Sequence, residues 1–219
     1  MSASETLGAL RELRVGSTPS LAAILGIPDG AKGLVIFAHG SGSGRLSPRN
    51  NYVARCLREA GLATLLLDLL TPEEEADRRN VFDIALLASR LRRAADWAAS
   101  YPETARIPLC YFGASTGGGA ALRAAAGDPR IAAVVSRGGR PDLAGADAIV
   151  RVTAPTLLIV GELDGVVIEL NAGAIDAMHC ERDMVIVPGA GHLFEEPGTL
   201  DQVVELTQNW FLKHLVAQP

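Results

Sequence analysis

The sequence predicts an α/β protein built on a mostly parallel sheet with helices on both faces, and three observations carry that prediction. Short apolar runs recur from Lys32 to the C-terminus with helical patterns between them, the alternation expected of a parallel sheet covered on both sides. Each run is almost continuously apolar, as a strand buried on both faces requires. The 219 residues are 48% hydrophobic and 21% charged, which suffices for one globular core without disulfides or metal.

The N-terminal segment 1–30 differs from the rest. Residues 10–15 and 20–27 read as two strands joined by Gly16-Ser17-Thr18-Pro19, an antiparallel hairpin at the sheet edge. The remaining strands fall at 33–38, 63–68, 108–112, 131–136, 156–160 and 184–187. Helices are expected over 50–60, 81–100, 116–126, 168–178 and 201–216. The second of these carries Val81, Ile84, Leu87, Leu91, Ala94 and Trp97 at helical spacing, which makes one buried stripe. Its Arg90, Arg92, Arg93 and Asp96 read as a solvated face. About twenty residues separate the strands at 131–136 and 156–160, room for a short helix but not for a lid domain. With no internal repeat or linker, 1–219 reads as a single domain.

Charge and composition exclude several function classes. A net charge of -5 without any basic block argues against nucleic acid and anionic membranes as partners. The Met1–Glu5 start lacks a basic region and an apolar core, so no secretory signal is expected. The apolar stretch 62–70 contains Asp68 and is far too short to span a bilayer. Cys56, Cys110 and Cys180 are odd in number, widely separated and without metal-ligand spacing. They read as reduced thiols of a cytoplasmic protein, with no metal or cofactor implied.

Gly113-Ala114-Ser115-Thr116-Gly117 stands between the strand at 108–112 and the small-residue helix that follows. G-x-S-x-G at a strand-to-helix junction is a nucleophile elbow: a turn so sharp that the flanking residues nearly touch, pushing the hydroxyl out above the sheet. A phosphate-binding loop is the other reading of these glycines, but no Lys-Ser/Thr pair follows and no G-x-G-x-x-G is present. A nucleophilic serine needs a base, and the base needs an orienting acid. His192 follows the last strand in Gly189-Ala190-Gly191-His192, and Asp164 follows the strand at 156–160 in Gly161-Glu162-Leu163-Asp164. Carboxyl ends of parallel strands form one rim, so Ser115, Asp164 and His192 can converge there. Asp142, after the preceding strand, is the competing acid, whereas Asp68 comes too early in the chain and reads as a loop-pinning residue.

From about Leu34 to Val216 the chain resembles an α/β-hydrolase, and its short, lidless plan is similar to the dienelactone hydrolase-like branch. The resemblance implies a three-layer fold with Ser115 as nucleophile, His192 as general base then acid, and Asp164 as its orienter. It also gives meaning to Ala38-His39-Gly40-Ser41-Gly42. In such enzymes the amide after the His-Gly pair joins the amide after the nucleophile in an oxyanion hole, here Ser41 and Thr116. His39 itself reads as an organiser of that loop. Dienelactone hydrolases carry cysteine in the elbow where this chain carries Ser115, which favours esters or lactones of small molecules over the dienelactone itself.

Arg137 and Arg140 leave the strand at 131–136 on the same rim. They are candidates for holding a substrate carboxylate or phosphate, against the alternative of ion pairs with Asp142 or Asp147. Arg45 and Arg49 admit the same two readings. Tyr52, Leu193 and Phe194 are candidates for an acyl pocket or for core packing. The expected activity is hydrolysis through an acyl-enzyme. Acyl transfer on the same triad and a non-catalytic binding protein of this fold are the alternatives. Oligomeric state is not legible.

Overall fold

A computed structural model describes residues 8–216; the Met1–Glu5 start, read above as lacking a leader, lies outside the described residues. Eight strands form one sheet in the order β1-β2-β4-β3-β5-β6-β7-β8. They are β1 (Arg11–Val15), β2 (Leu21–Gly26), β3 (Leu34–Ala38), β4 (Ala63–Leu67), β5 (Leu109–Ala114), β6 (Ile131–Arg137), β7 (Thr156–Gly161) and β8 (Arg182–Val187). Every pair from β4 to β8 is parallel, while β1 and β2 form an antiparallel hairpin whose inner strand lies antiparallel to β4.

The helices are α1 (Pro48–Glu59), α2 (Pro72–Glu75), α3 (Arg78–Val81), α4 (Ile84–Ser100), α5 (Thr116–Ala125), α6 (Ala146–Ile149), α7 (Gly165–Ala177) and α8 (Thr199–Val216). Two apolar clusters separate them into layers. Tyr111, Val134 and Leu158 pack with α4 and α5 residues such as Leu91 and Leu122 on one face. Phe112, Val135 and Leu157 pack with α1 and α8 residues such as Leu57 and Phe211 on the other. Neighbouring residues of the central strands β3 to β7 alternate between the clusters, so both faces are buried there and those strands read as continuous apolar runs. This is the three-layer α/β-hydrolase architecture expected from the sequence.

Two helix starts differ by three residues from the sequence reading, and the short α2 and α3 are not expected from it. The helix expected over 81–100 is interrupted at Phe82-Asp83, because the Asp83 carboxylate accepts the Leu86 amide at 2.9 Å and starts a fresh helix there. The helix expected from 168 begins three residues earlier, at Gly165. Between β6 and β7 stand only a 3₁₀ turn (Pro141–Ala144) and the one-turn α6. No helix among the described residues is long and apolar enough to cross a membrane.

Candidate active site

Ser115 sits between the end of β5 and the first residue of α5, with φ 52° and ψ −122°. A non-glycine residue rarely holds such a backbone, and it persists only where the surroundings enforce it. They do so through three hydrogen bonds. The Ser115 amide donates to the Arg137 carbonyl at 3.1 Å, and the Ser115 carbonyl accepts from Gly118 at 2.9 Å and from Arg140 at 3.1 Å. The flanking glycines are steric necessities. A Cβ on Gly113 would lie 2.5 Å from the Gly117 carbonyl oxygen, and one on Gly117 would lie 2.2 Å from the Ala38 oxygen.

His192 bridges the other two members of the expected triad. Its Nε2 lies 3.1 Å from Ser115 Oγ, and its Nδ1 lies 2.5 Å from Asp164 Oδ2. With the carboxylate accepting from Nδ1–H, Nε2 is left to accept the serine proton. Asp164 and Ser115 both occupy N-cap positions, of α7 and α5, yet neither side chain caps its helix. Serine and aspartate are favoured caps, and forgoing such a bond costs about 1 kcal/mol. Both side chains are turned toward His192 instead, a local rule broken in favour of a tertiary contact. The Asp164 side chain is 17% exposed and that of His192 37%, so the imidazole edge meets solvent while its orienter is shielded.

The loop after β3 closes the other side of Ser115. A Cβ on Gly40 would be 3.0 Å from Ser115 Cβ, so this backbone lies directly against Ser115. His39 holds it there. Its Nε2 accepts the Leu69 amide at 3.0 Å, which leaves Nδ1 as the donor to the Gly40 carbonyl, also at 3.0 Å. Gly40 C=O and Ser41 N–H belong to one peptide plane and point in opposite directions, so fixing the first aims the second. Burial pushes the His39 pKa down, outweighing the nearby Asp68 and Glu75, and keeps the imidazole in that neutral form. Among the described residues neither the Ser41 nor the Thr116 amide donates to a protein acceptor. Beside this loop opens a cleft of about 450 Å³ lined by His39, Ser41, Arg45, Arg49 and Asp68 among others.

The remaining candidates separate clearly. Asp142 makes no hydrogen bond to the imidazole; both its oxygens are engaged by the Arg140 guanidinium, at 2.8 and 2.7 Å. That pair lowers the Asp142 pKa and occupies Arg140 as well. Arg45 is bound to Asp68 at 2.6 Å, and Asp68 also accepts the Arg45 amide, pinning the cleft loop to the β4 exit. Arg49 pairs with Glu195, and Tyr52 donates to Asp201. Phe194 is buried, while Leu193 is exposed. Arg137 is buried with the Phe194 ring 5.9 Å from its guanidinium carbon. Burial, with a smaller contribution from Arg49, lowers its pKa to about 10. Cys110 is buried within the sheet, and burial raises its pKa to about 12.

One supporting residue escapes a motif-based reading. Asn171 of α7 is fully buried, and its Nδ2 donates to Gly139 at 2.9 Å and to Val167 at 2.8 Å. It ties α7, which begins beside Asp164, to the loop that hydrogen-bonds Ser115. The signal available was a lone asparagine on an apolar stripe with Val167 and Ala174.

No family model matches the chain. The crystal structure of a dienelactone hydrolase from Anabaena variabilis superposes with a TM-score of 0.91 at 53% identity, covering 94% of this chain and 98% of that one. Est1E from Butyrivibrio proteoclasticus superposes at 0.79 with 18% identity, covering 94% and 99%, and at that distance speaks for the fold alone. Proteins from two strains of Mycobacterium tuberculosis, provisionally named phosphoribosyl transferases, are 59% identical over 207 residues. The match covers 93% of this chain but only 46% of theirs, so the chain spans about half the length of these curated relatives.

Proposed function

The chain belongs to the dienelactone hydrolase family of α/β-hydrolases, and from that premise we propose that it is a serine hydrolase cleaving carboxylic esters or lactones of small molecules through an acyl-enzyme. The single observation that carries this reading is the continuous contact from Asp164 through His192 to Ser115, at 2.5 and 3.1 Å. A serine hydroxyl is a weak nucleophile at neutral pH, and a neutral imidazole within hydrogen-bond reach takes its proton as the C–O bond forms. Asp164 holds the tautomer and stabilises the imidazolium. Ser41 and Thr116 amides receive the oxyanion, helped by the N-terminal dipole of α5. Loss of one such donor raises the barrier by about 2.7–4 kcal/mol. The His192 proton then passes to the leaving alkoxide. Water enters, gives a proton to His192 and attacks the acyl carbonyl, and Ser115 departs with that proton.

The phosphoribosyl transferase name belongs to relatives about twice as long, and the contacts around Ser115 support acyl chemistry for this portion. Acyl transfer to another nucleophile shares every step up to the acyl-enzyme. The short β6–β7 connection and the open cleft favour small acyl groups. Unpaired thiols at Cys56, Cys110 and Cys180 suit a cytoplasmic setting.

Treatment with a fluorophosphonate tests the reading. The adduct is expected on Ser115 by mass spectrometry and is lost in Ser115→Ala, whose kcat falls by about 10⁴–10⁶ with the fold retained. A folded protein that takes no label refutes the assignment. Supplying alcohols at high concentration and analysing products separates hydrolysis from transfer.

A further inference from the structure

The cavities of this molecule differ in how their charges are balanced. In the cleft beside Ser115, Arg45 pairs with Asp68 and Arg49 with Glu195. A second cavity, beside the turn after β2, is lined by Arg11 and Glu103, which pair with each other at 2.6 Å. A third, of about 380 Å³, lies where α4 and α5 meet the β6–β7 connection, and is lined by Arg92, Arg123, Arg151 and Asp147 with Ala144 and Gly145. None of these three arginines has a carboxylate partner among the described residues. Each donates to a main-chain carbonyl instead: Arg92 to Arg123 at 3.0 Å, Arg123 to Ala144 at 3.1 Å and Arg151 to Asp147 at 2.8 Å. Three guanidinium groups thus share one cavity with a single acidic residue, in a chain whose net charge is -5.

The carbonyls explain how the cluster is held together. Arg123 belongs to the last turn of α5, Ala144 ends the 3₁₀ turn and Asp147 lies in α6, so the arginines cap helix ends, where a cation is favoured. Capping occupies one N–H of the five on each guanidinium. Arg92 and Arg123 are half-buried and Arg151 is exposed, and neither Arg92 nor Arg123 has a nitrogen sealed from solvent without a partner. Their unused N–H groups are therefore open to a ligand. The carboxylates nearby do not take them. Asp128, whose pKa is lowered chiefly by its hydrogen bonds from Arg130 and less by Arg92, gives both oxygens to Arg130 at 2.9 and 2.7 Å. Asp147 meets Arg151 through its carbonyl, not its carboxylate. The rest of the lining is alanine and glycine, which offers no aromatic face and no large apolar pocket, so charge is the recognition chemistry available.

We propose that this cavity is a binding site for a compact phosphate-bearing anion, either inorganic or carried on a small polar metabolite. A phosphate group presents several oxygens around one centre and accepts from more than one guanidinium fork at once, a geometry that arginine matches and lysine does not. A carboxylate presents two oxygens in one plane and engages fewer forks. The capping bonds already fix the three side chains, so little rotamer freedom is lost on binding. The site stands apart from the triad and from the serine-hydrolase reading. Its lining shares no residue with the cleft beside Ser115, and Arg123 lies near the far end of α5, about 12 Å of helix rise from Ser115.

Isothermal titration calorimetry on the full chain tests this, with pyrophosphate, glycerol 3-phosphate and citrate as the probes at about 0.1 M NaCl. Saturable binding with a Kd below about 1 mM is expected for pyrophosphate or glycerol 3-phosphate, with citrate at least about tenfold weaker. The tighter of the two phosphates says whether the anion is inorganic or organic. Arg123→Met and Arg151→Met should each weaken binding by about tenfold, the loss of one charge-assisted contact. Asp147→Asn keeps the carbonyl that Arg151 uses and should tighten binding by about two- to threefold, which a purely structural role for the cluster does not predict. Arg55→Met is the control: Arg55 pairs with Glu59 on α1, across the sheet, and its loss removes the same charge without changing the Kd. Neither heat nor a rise in Tm with either phosphate at about 10 mM overturns the proposal. So does citrate binding as tightly as the phosphates, or a Kd that the Arg123 and Arg151 variants leave unchanged or that Arg55→Met raises equally. A phosphate that competes with p-nitrophenyl acetate at its calorimetric Kd sits beside Ser115 instead, and overturns it as well. Should Arg123→Met fail to fold, Arg151→Met decides, because that side chain is exposed.

Discussion

Replacing Gly117 by alanine probes the elbow and the oxyanion loop at once, because the missing Cβ is what lets the two meet. A methyl group there would stand 2.2 Å from the Ala38 carbonyl oxygen and 2.5 Å from that of His39, whereas ordinary contact begins at 3.4 Å. Both obstacles are backbone, so no rotamer change relieves them, and the β3 exit must retreat by about 1 Å. Overpacking of this kind costs about 3 kcal/mol. Alanine is the better helix former by about 1 kcal/mol, which leaves a net loss of about 2 kcal/mol. For a domain of this size that lowers Tm by about 4–8 °C. The catalytic effect is larger, since moving the Ser41 donor by about 1 Å relative to Ser115 reduces turnover by about 10²-fold. Thermal melting and hydrolysis of p-nitrophenyl acetate measure the two effects. Gly173→Ala is the control: it lies in α7 with nothing within 4 Å of the added atom. That variant should gain about 0.5–1 kcal/mol with activity unchanged. A Gly117→Ala protein that melts and turns over like wild type refutes the close approach on which the proposed oxyanion hole depends.

Asp164→Asn should reduce kcat by about 10⁴, as loss of the correct imidazole tautomer does in other triads. Asp142→Asn should stay within a few-fold of wild type, because Asp142 is bound to Arg140; a reversed ranking would move the acid to Asp142. His39, whose native pKa is held below its ordinary 6.5, is neutral in the folded state where the unfolded chain is already protonated. Its contribution to stability is therefore fully present above about pH 6.5 and fades as pH falls below it. The drop in denaturant midpoint between pH 7.5 and 5.5 should shrink in His39→Asn, and an unchanged drop assigns the effect to another group, such as His214. Iodoacetamide at pH 7.5 should leave activity intact. Cys110 is buried with its pKa near 12, and burial raises the pKa values of Cys56 and Cys180 as well. Inactivation in step with alkylation would point to a thiol nucleophile.

The chain by itself determined the strands and the longer helices in their order, though not the short helices α2 and α3, because strands buried on both faces must be apolar throughout and helices between them must carry one apolar stripe. It also singled out Ser115, Asp164 and His192 as candidates that the fold brings into contact, since the end of a parallel strand is a position that sequence marks with glycine and a change of period. It misjudged the start of α4, where the Asp83 cap outweighs a stripe that looks continuous from Val81. What it could not decide were the partners of individual side chains. Asp142 and Asp164 follow successive strands and look alike in sequence; only the folded chain gives one to Arg140 and the other to His192. Ser115 and Asp164 occupy cap positions that local chemistry would satisfy locally, and only the convergence of β5, β7 and β8 at one rim draws both away. Arg137 and Arg140 likewise differ by three residues and by nothing visible in composition. Strand alternation buries the first without a counter-charge and leaves the second in solvent beside a carboxylate. Periodicity fixes which face a residue occupies, but the neighbour it meets across that face is set by residues dozens of positions away.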